Sequence, residues 1–235
     1  MRTLIVGGTS GTGQALARSL ISRGDAVIIT GRDSARAKTI AEDLQRLSPV
    51  PSETLAEGLG LDLSRPQEIA DRLAGVGPLD AVVLAGMTRD QNSLADYDVA
   101  RAIDSATIKV VGYSAVLHAL RHRLGGSRSV LLFGGIAKHA PYPGSTTVSA
   151  VNGAVVGMVA TFMRELAPTR VNAIHPGLVV DSPVWKDNVA VHDAIRARTL
   201  SKRAATMEDI VAACLFLLDN PAVNGVNLTV DGGMV

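Results

Sequence analysis

The sequence predicts an α/β protein: one Rossmann-type, doubly wound parallel sheet of about seven strands with helices on both faces. Three features predict it. Short apolar or β-branched runs alternate with longer helical patterns along all 235 residues. The strand runs are continuously apolar, as strands buried on both faces must be. The first of them runs directly into a glycine-rich turn that opens a helix.

Residues 2–7, 26–30, 79–84, 129–133, 171–174 and 226–230 read as strands, and a short further strand is expected at 59–61. Residues 11–23, 35–47, 66–74, 99–124, 146–166 and 207–218 read as helices. Residues 48–58, with Pro49 and Pro51, read as a surface loop. The whole of 1–235 is expected to be a single domain, and 178–205, which lacks strand character, an insertion that covers the carboxyl ends of the strands as a substrate lid.

Composition narrows the function. Lys and Arg number 23 against 22 Asp and Glu, so no net field favours nucleic acid or anionic lipid. One Trp, three Tyr and three Phe leave little to stack on bases. A lone cysteine, Cys214, among apolar neighbours reads as a buried small residue; it excludes an internal disulfide and a cysteine metal cluster, and no metal site is expected. With a strand starting by Arg2 there is no room for a signal peptide, and a cytoplasmic protein is expected. Residues 140–163 carry no charge, yet Pro141, Pro143, Asn152 and several Ser and Thr make them a loop plus a buried helix, with no membrane partner expected.

The glycine-rich turn holds Gly7, Thr9, Ser10, Gly11 and Gly13 and is expected to grip a pyrophosphate. A strand ending in such a turn brings bare backbone to the anion, and the first-turn N–H groups and dipole of the following helix face it. The second strand ends at Thr30 and Gly31 without the acid that would bond a ribose 2′-hydroxyl. Arg32 follows, a guanidinium fork suited to a 2′-phosphate, so the expected cofactor is NADP(H). Asp62 and Leu63 at the end of the third strand, and the small Ala85 and Gly86 at the end of the fourth, line up with Pro176 and Gly177 at one sheet edge. Taken singly, each is also compatible with ordinary turn chemistry.

With these residues in place the chain resembles the short-chain dehydrogenase/reductase family over essentially its whole length. The glycine turn is similar to the family's TGxxxGxG with Val6 for Thr; Ala85 and Gly86 to the end of its NNAG, with Val83 and Leu84 for the asparagines. The run from Val171 to Gly177 resembles the strand before the nicotinamide-contacting PG turn, and Val230, Asp231, Gly232 and Gly233 the carboxyl-terminal signature. The resemblance implies a nicotinamide cofactor, Val179 beside the PG turn at its nicotinamide end, a small-molecule substrate and a homodimer or homotetramer.

The family's catalytic residues are a Tyr-x-x-x-Lys pair, a Ser at the end of the fifth strand and an Asn on the preceding long helix. Here Val148 stands at the tyrosine, Asn152 at the lysine, and Gly134 or Gly135 at the serine. The family's Asn-x-x-Gly matches Lys109, Val110, Val111 and Gly112, so lysine and asparagine look transposed. Lys109 and Asn152 are therefore expected to carry catalysis and to contact the nicotinamide ribose, burial bringing the lysine toward the useful range for proton transfer. A lysine on a helix face and an asparagine satisfying a buried carbonyl is the alternative. His139 and Tyr142 are further candidate proton donors, in a loop that also holds Lys138.

Trp185 in the lid is placed to close over an apolar substrate, and Lys186, Arg196, Arg198, Lys202 and Arg203 make its surface basic. Gly153 and Gly157, with Ala154 and Ala160, let another helix approach closely. The expected activity is reduction of a carbonyl, imine or activated double bond. A catalytically relaxed NADP(H)-binding regulator and a redox-neutral enzyme of the same fold are the alternatives.

Overall fold

The computed structural model describes residues 1–50, 55–88, 90–124 and 128–234. Strand β1 (Arg2–Val6) leads through α1 (Gly11–Ser22) to β2 (Ala26–Gly31), then through α2 (Ser34–Gln45) to β3 (Ala56–Gly60). A 3₁₀ turn (Pro66–Glu68) and α3 (Ile69–Arg72) return the chain to β4 (Ala81–Leu84). Helices α4 (Val99–Ala106) and α5 (Tyr113–Leu120), joined by a π-helical segment (Thr107–Gly112), precede β5 (Ser129–Phe133). Helix α6 (Thr146–Glu165), β6 (Arg170–Pro176), α7 (Val189–Arg198), α8 (Met207–Asp219) and β7 (Asn227–Val230) complete the chain.

The seven strands form one sheet in the order β3-β2-β1-β4-β5-β6-β7, and every pairing is parallel. The chain builds outward from β1 to β3, then restarts at β4 on the other side of β1. That reversal opens a crevice at the carboxyl ends of β1 and β4, where ligands bind in sheets of this kind.

Successive strand residues point to opposite faces, so continuously apolar strands feed two cores. Leu4, Val6, Val82 and Leu84 pack with Tyr113, Leu120 and Val155 on one face. Ile5, Ile29 and Val83 pack with Leu16, Leu20, Cys214 and Leu217 on the other. At β6 the buried Arg170 donates to the carbonyls of Leu217, Leu218 and Val223, tying the end of α8 to the sheet.

Four expectations need correction. The third strand runs over Ala56–Gly60, so residues 56–58 of the expected loop are strand and Leu61 of the expected strand is not; Pro51 of that loop lies outside the described residues. The strand is hidden in sequence because Ala-Glu-Gly-Leu-Gly has no β-branched residue; pairing with β2 from Val27↔Ala56 to Gly31↔Gly60 creates it. Residues 66–74 hold a 3₁₀ turn and a four-residue helix in place of one longer helix. The expected single helix over 99–124 contains a widened π segment at Thr107–Gly112 and ends in a 3₁₀ turn.

The fourth correction concerns α6, which buries Val151, Val155, Met158 and Val159 but leaves Ala150, Gly153, Val156, Gly157 and Ala160 exposed. It is long and apolar enough to cross a membrane by length and composition alone, and only its inward side is buried.

Gly58 shows how tightly β3 is held. A Cβ there would stand 2.3 Å from the Ala37 carbonyl oxygen of α2, whereas one at Gly75 would meet nothing within 4 Å. Gly58→Ala is expected to cost about 1–3 kcal/mol in urea unfolding, and Gly75→Ala less than about 0.5 kcal/mol.

Candidate cofactor cleft and active site

The glycine turn is built by close approach. Gly7 has φ +87°, and a Cβ on it would lie 2.7 Å from the Gly86 nitrogen; one on Gly13 would lie 2.3 Å from the Gly7 oxygen. The N–H groups of Gly7 and Gly8 both donate to the Thr30 carbonyl, at 3.2 and 3.1 Å, which draws the turn over the end of β2. Gly11, φ +52°, faces open space, with the Pro183 ring 4.0 Å from where its Cβ would be. Gly11 is therefore the glycine of this turn with open space before it, while Gly7 and Gly13 are required by the protein's own backbone. Ser10, the N-cap of α1, makes no side-chain capping bond, and the first turn carries no acid. This helix end suits an anion.

At the ends of β2 and β3 the backbone again leaves no room. A Cβ on Gly31 would be 2.7 Å from Thr9 Oγ1, and one on Gly60 2.7 Å from Ser34 Cβ. Beyond this floor lies a cleft of about 320 Å³ lined by Arg32, Asp62 and neighbouring residues. Arg32 is exposed at its mouth. Asp62 accepts the Ser64 N–H and hydroxyl at one oxygen, Oδ1, at 3.0 and 2.8 Å. Leu63 is buried, its side chain against Gly86 and Gly112.

Ala85 donates its N–H to the Val6 carbonyl, and the Gly86 carbonyl accepts the Tyr113 hydroxyl at 2.8 Å. Tyr113 is completely buried, burial pushes its phenol far above the usual range, and its hydroxyl proton is committed to the Gly86 carbonyl, so it braces the turn. Sequence reading missed this residue, which lies one helical turn beyond Lys109. Gly177 donates to the Val230 carbonyl and abuts Asp231, and Val179 bridges to Ala205, which anchors the PG turn and the start of the expected lid.

Lys109 and Asn152 come together. Lys109, on the π segment, is 6% exposed, and its Nζ donates to Asn152 Oδ1 of α6 at 3.2 Å. Burial lowers the ammonium from 10.5 to about 8. Single π turns frequently occur at functional sites, and this one carries the buried lysine.

The two glycines after β5 have a steric cause. A Cβ on Gly134 would lie 2.2 Å from His175 Nδ1, and one on Gly135 2.8 Å from Asn152 Nδ2. His175, completely buried at the end of β6, accepts the Gly135 N–H at Nδ1 (3.2 Å) and donates from Nε2 to Asn227 Oδ1 (2.9 Å). Desolvation lowers its pKa, offset in part by the Asn227 bond and reinforced by Lys138. The neutral ring is thus a fixed spacer under the strand end. Two adjacent glycines at the end of a buried strand are the sequence signal for such a neighbour.

The loop candidates lie at the surface. His139 is exposed with Nδ1 3.1 Å from Lys138 Nζ, and Tyr142 is 47% exposed, its backbone N–H bonded to Ser145 Oγ.

Comparison with known proteins matches this architecture. A family profile described as enoyl-(acyl carrier protein) reductase fits residues 6–235. The short-chain dehydrogenase/reductase ATR9 of Stachybotrys chlorohalonatus is 28% identical, covering 98% of this chain and 95% of its own. The 3-oxoacyl-[acyl-carrier-protein] reductase FabG of Aquifex aeolicus is 25% identical, covering 99% and 96%. Among solved structures, the MalC reductase/Diels–Alderase of Malbranchea aurantiaca superposes with a TM-score of 0.87 at 25% identity, covering 99% of this chain and 94% of that one.

The depressed lysine has a consequence for stability. Between about pH 8 and 10.5 the unfolded chain holds a proton at Lys109 that the folded chain has lost, so stability from this group rises with pH across that window. The gain is at most about 3 kcal/mol. Urea unfolding from pH 7.5 to 10.5 is expected to show that rise in the wild type relative to Lys109→Met; identical pH dependences would contradict it.

Proposed function

The chain belongs to the short-chain dehydrogenase/reductase family, and from that premise we propose that it is an NADP(H)-dependent reductase of a carbonyl, imine or activated double bond, working without the family's Tyr-x-x-x-Lys pair. The observation that carries this reading is the buried Lys109–Asn152 bond, a titratable ammonium kept inside the site where neither residue stands at its usual family position.

The chain's own groups fit the cofactor. The Gly7–Gly13 turn and the open end of α1 suit its pyrophosphate, Arg32 its 2′-phosphate, and Asp62 and Leu63 the adenine side. Ala85 and Gly86 leave passage for it, and Pro176, Gly177 and Val179 frame the nicotinamide end. When bound, the nicotinamide supplies the hydride.

Lys109 Nζ holds or gives up a proton near neutral pH because burial removes much of its preference for charge. Asn152 Oδ1 fixes where that ammonium points, and its own amide packs on Gly135. Lys109 and Asn152 also serve the nicotinamide ribose. His139 and Tyr142, at the exposed rim, are proton donors of second rank. With no phenol at position 148, acceptors whose charge is delocalised after hydride addition are favoured, since they ask least of a protein acid.

A redox-neutral role with the nucleotide as a structural element is the second reading. It is favoured by the absence of the family acid at Val148 and Gly134, and by a relative described as both reductase and Diels–Alderase. The uncovered face of α6, from Ala150 to Ala160, is proposed to be closed by a second copy of the chain in a dimer or tetramer.

Two measurements test the reading. Arg32→Asp is expected to weaken NADPH at least about tenfold with little change for NADH; equal changes refute the NADP(H) assignment. With NADPH consumption followed on a panel of enones, quinones and ketones, Lys109→Met is expected to lower kcat at least about 100-fold. Undiminished kcat at saturating NADPH removes Lys109 from the chemistry.

A further inference from the structure

The cleft beyond β2 and β3 contains more positive charge than Arg32 alone provides. Arg65 and Arg72 also line it, facing the carboxylates Asp62 and Glu68. Asp62 Oδ1 is taken up by the Ser64 N–H and hydroxyl, and the Arg65 N–H donates to the Asp62 carbonyl at 3.1 Å. Arg65 therefore starts from an anchored turn three residues from the strand-end carboxylate.

Its guanidinium is held loosely. Arg65 Nη1 lies 3.3 Å from Glu68 Oε1, and Arg72 Nη2 lies 3.5 Å from Glu68 Oε2, so two cations share one carboxylate. The side chains are 64%, 60% and 42% exposed for Arg65, Arg72 and Glu68. Long, exposed pairs of this kind contribute little and are given up easily. A phosphate dianion offers a guanidinium a shorter, charge-assisted, bidentate partner. The glycine turn brings no cation of its own to this end, only Thr9 and Ser10.

We propose that Arg65 is the second arm of the 2′-phosphate site: it leaves Glu68 for the phosphate and closes on it opposite Arg32, while Arg72 keeps Glu68. Glu68 is then a positioning residue that parks Arg65 over the cleft in the free protein. The inference rests on the NADP(H) reading and adds to it a specificity-determining residue outside the strand-end motif.

The test is calorimetric titration of the purified protein with adenosine 2′,5′-bisphosphate and with 5′-ADP, which needs no substrate and no turnover. Arg65→Ala is expected to weaken the 2′,5′-bisphosphate about tenfold and 5′-ADP less than about twofold, and Arg65→Lys to recover part of the loss. Arg65 is exposed, so thermal unfolding of both variants is expected to match the wild type. Equal effects on the two nucleotides, or none, overturn the assignment of Arg65. If Arg32→Asp abolishes the preference while Arg65→Ala is silent, the inference falls and the NADP(H) reading stands. If the wild type does not prefer the 2′,5′-bisphosphate, the reading itself falls.

Discussion

A lysine ammonium enclosed by the protein, with Asn152 Oδ1 as its hydrogen-bond acceptor among the described residues, is the interaction around which the rest of the site is arranged. Placing such a charge in the interior is costly unless it is paired or its pKa falls. Here it falls, and the lysine becomes a group that exchanges its proton close to neutrality. The fold provides the enclosure from two directions, α6 carrying the acceptor and the π segment carrying the donor. Widening the helix at Thr107–Gly112 lets a long side chain lie inward while Gly112 packs on Leu63, three residues beyond the third strand.

The neighbouring strand ends are filled by groups whose polar atoms are hydrogen-bonded inside the fold. His175 occupies the space a side chain at Gly134 would need, and is held neutral by burial between a backbone N–H and the Asn227 amide. Tyr113 spends its hydroxyl on the Gly86 carbonyl and is too deeply desolvated to ionise. The polar atoms of this region therefore divide into bracing groups, His175, Tyr113 and Asn227, and one pair with titratable character. That division is why Lys109, rather than the buried phenol or imidazole, carries the proposed proton chemistry.

The nucleotide side obeys a different constraint, the approach of backbone to backbone. Gly7 against Gly86, Gly13 against Gly7, and Gly60 against Ser34 are distances that no Cβ fits. They set the ends of β1, β2, β3 and β4 flush with one another, so that an uncapped helix end and an exposed arginine lie on one continuous edge. The outer face of α6 lacks the same economy: it presents an apolar strip of small residues that is exposed among the described residues.

The sheet, its parallel sense and the glycine turn were legible in the residues, because period-two burial and glycine punctuation are local patterns that need no knowledge of what lies across the fold. That Lys109 and Asn152 face one another was expected as well, from the places the resemblance gives them on two helices. The extent of the third strand, Ala56–Gly60 against the expected 59–61, was not, because its residues have little strand preference and pair only when β2 is beside them. Nor were the roles of His175 and Tyr113, or the break in the long helix, legible there. What the sequence by itself determined is the order of the strands along the chain and the glycine turn between β1 and α1. Tertiary structure alone decided which polar groups touch, which are desolvated and which are spent on backbone, because those properties depend on neighbours tens of residues away.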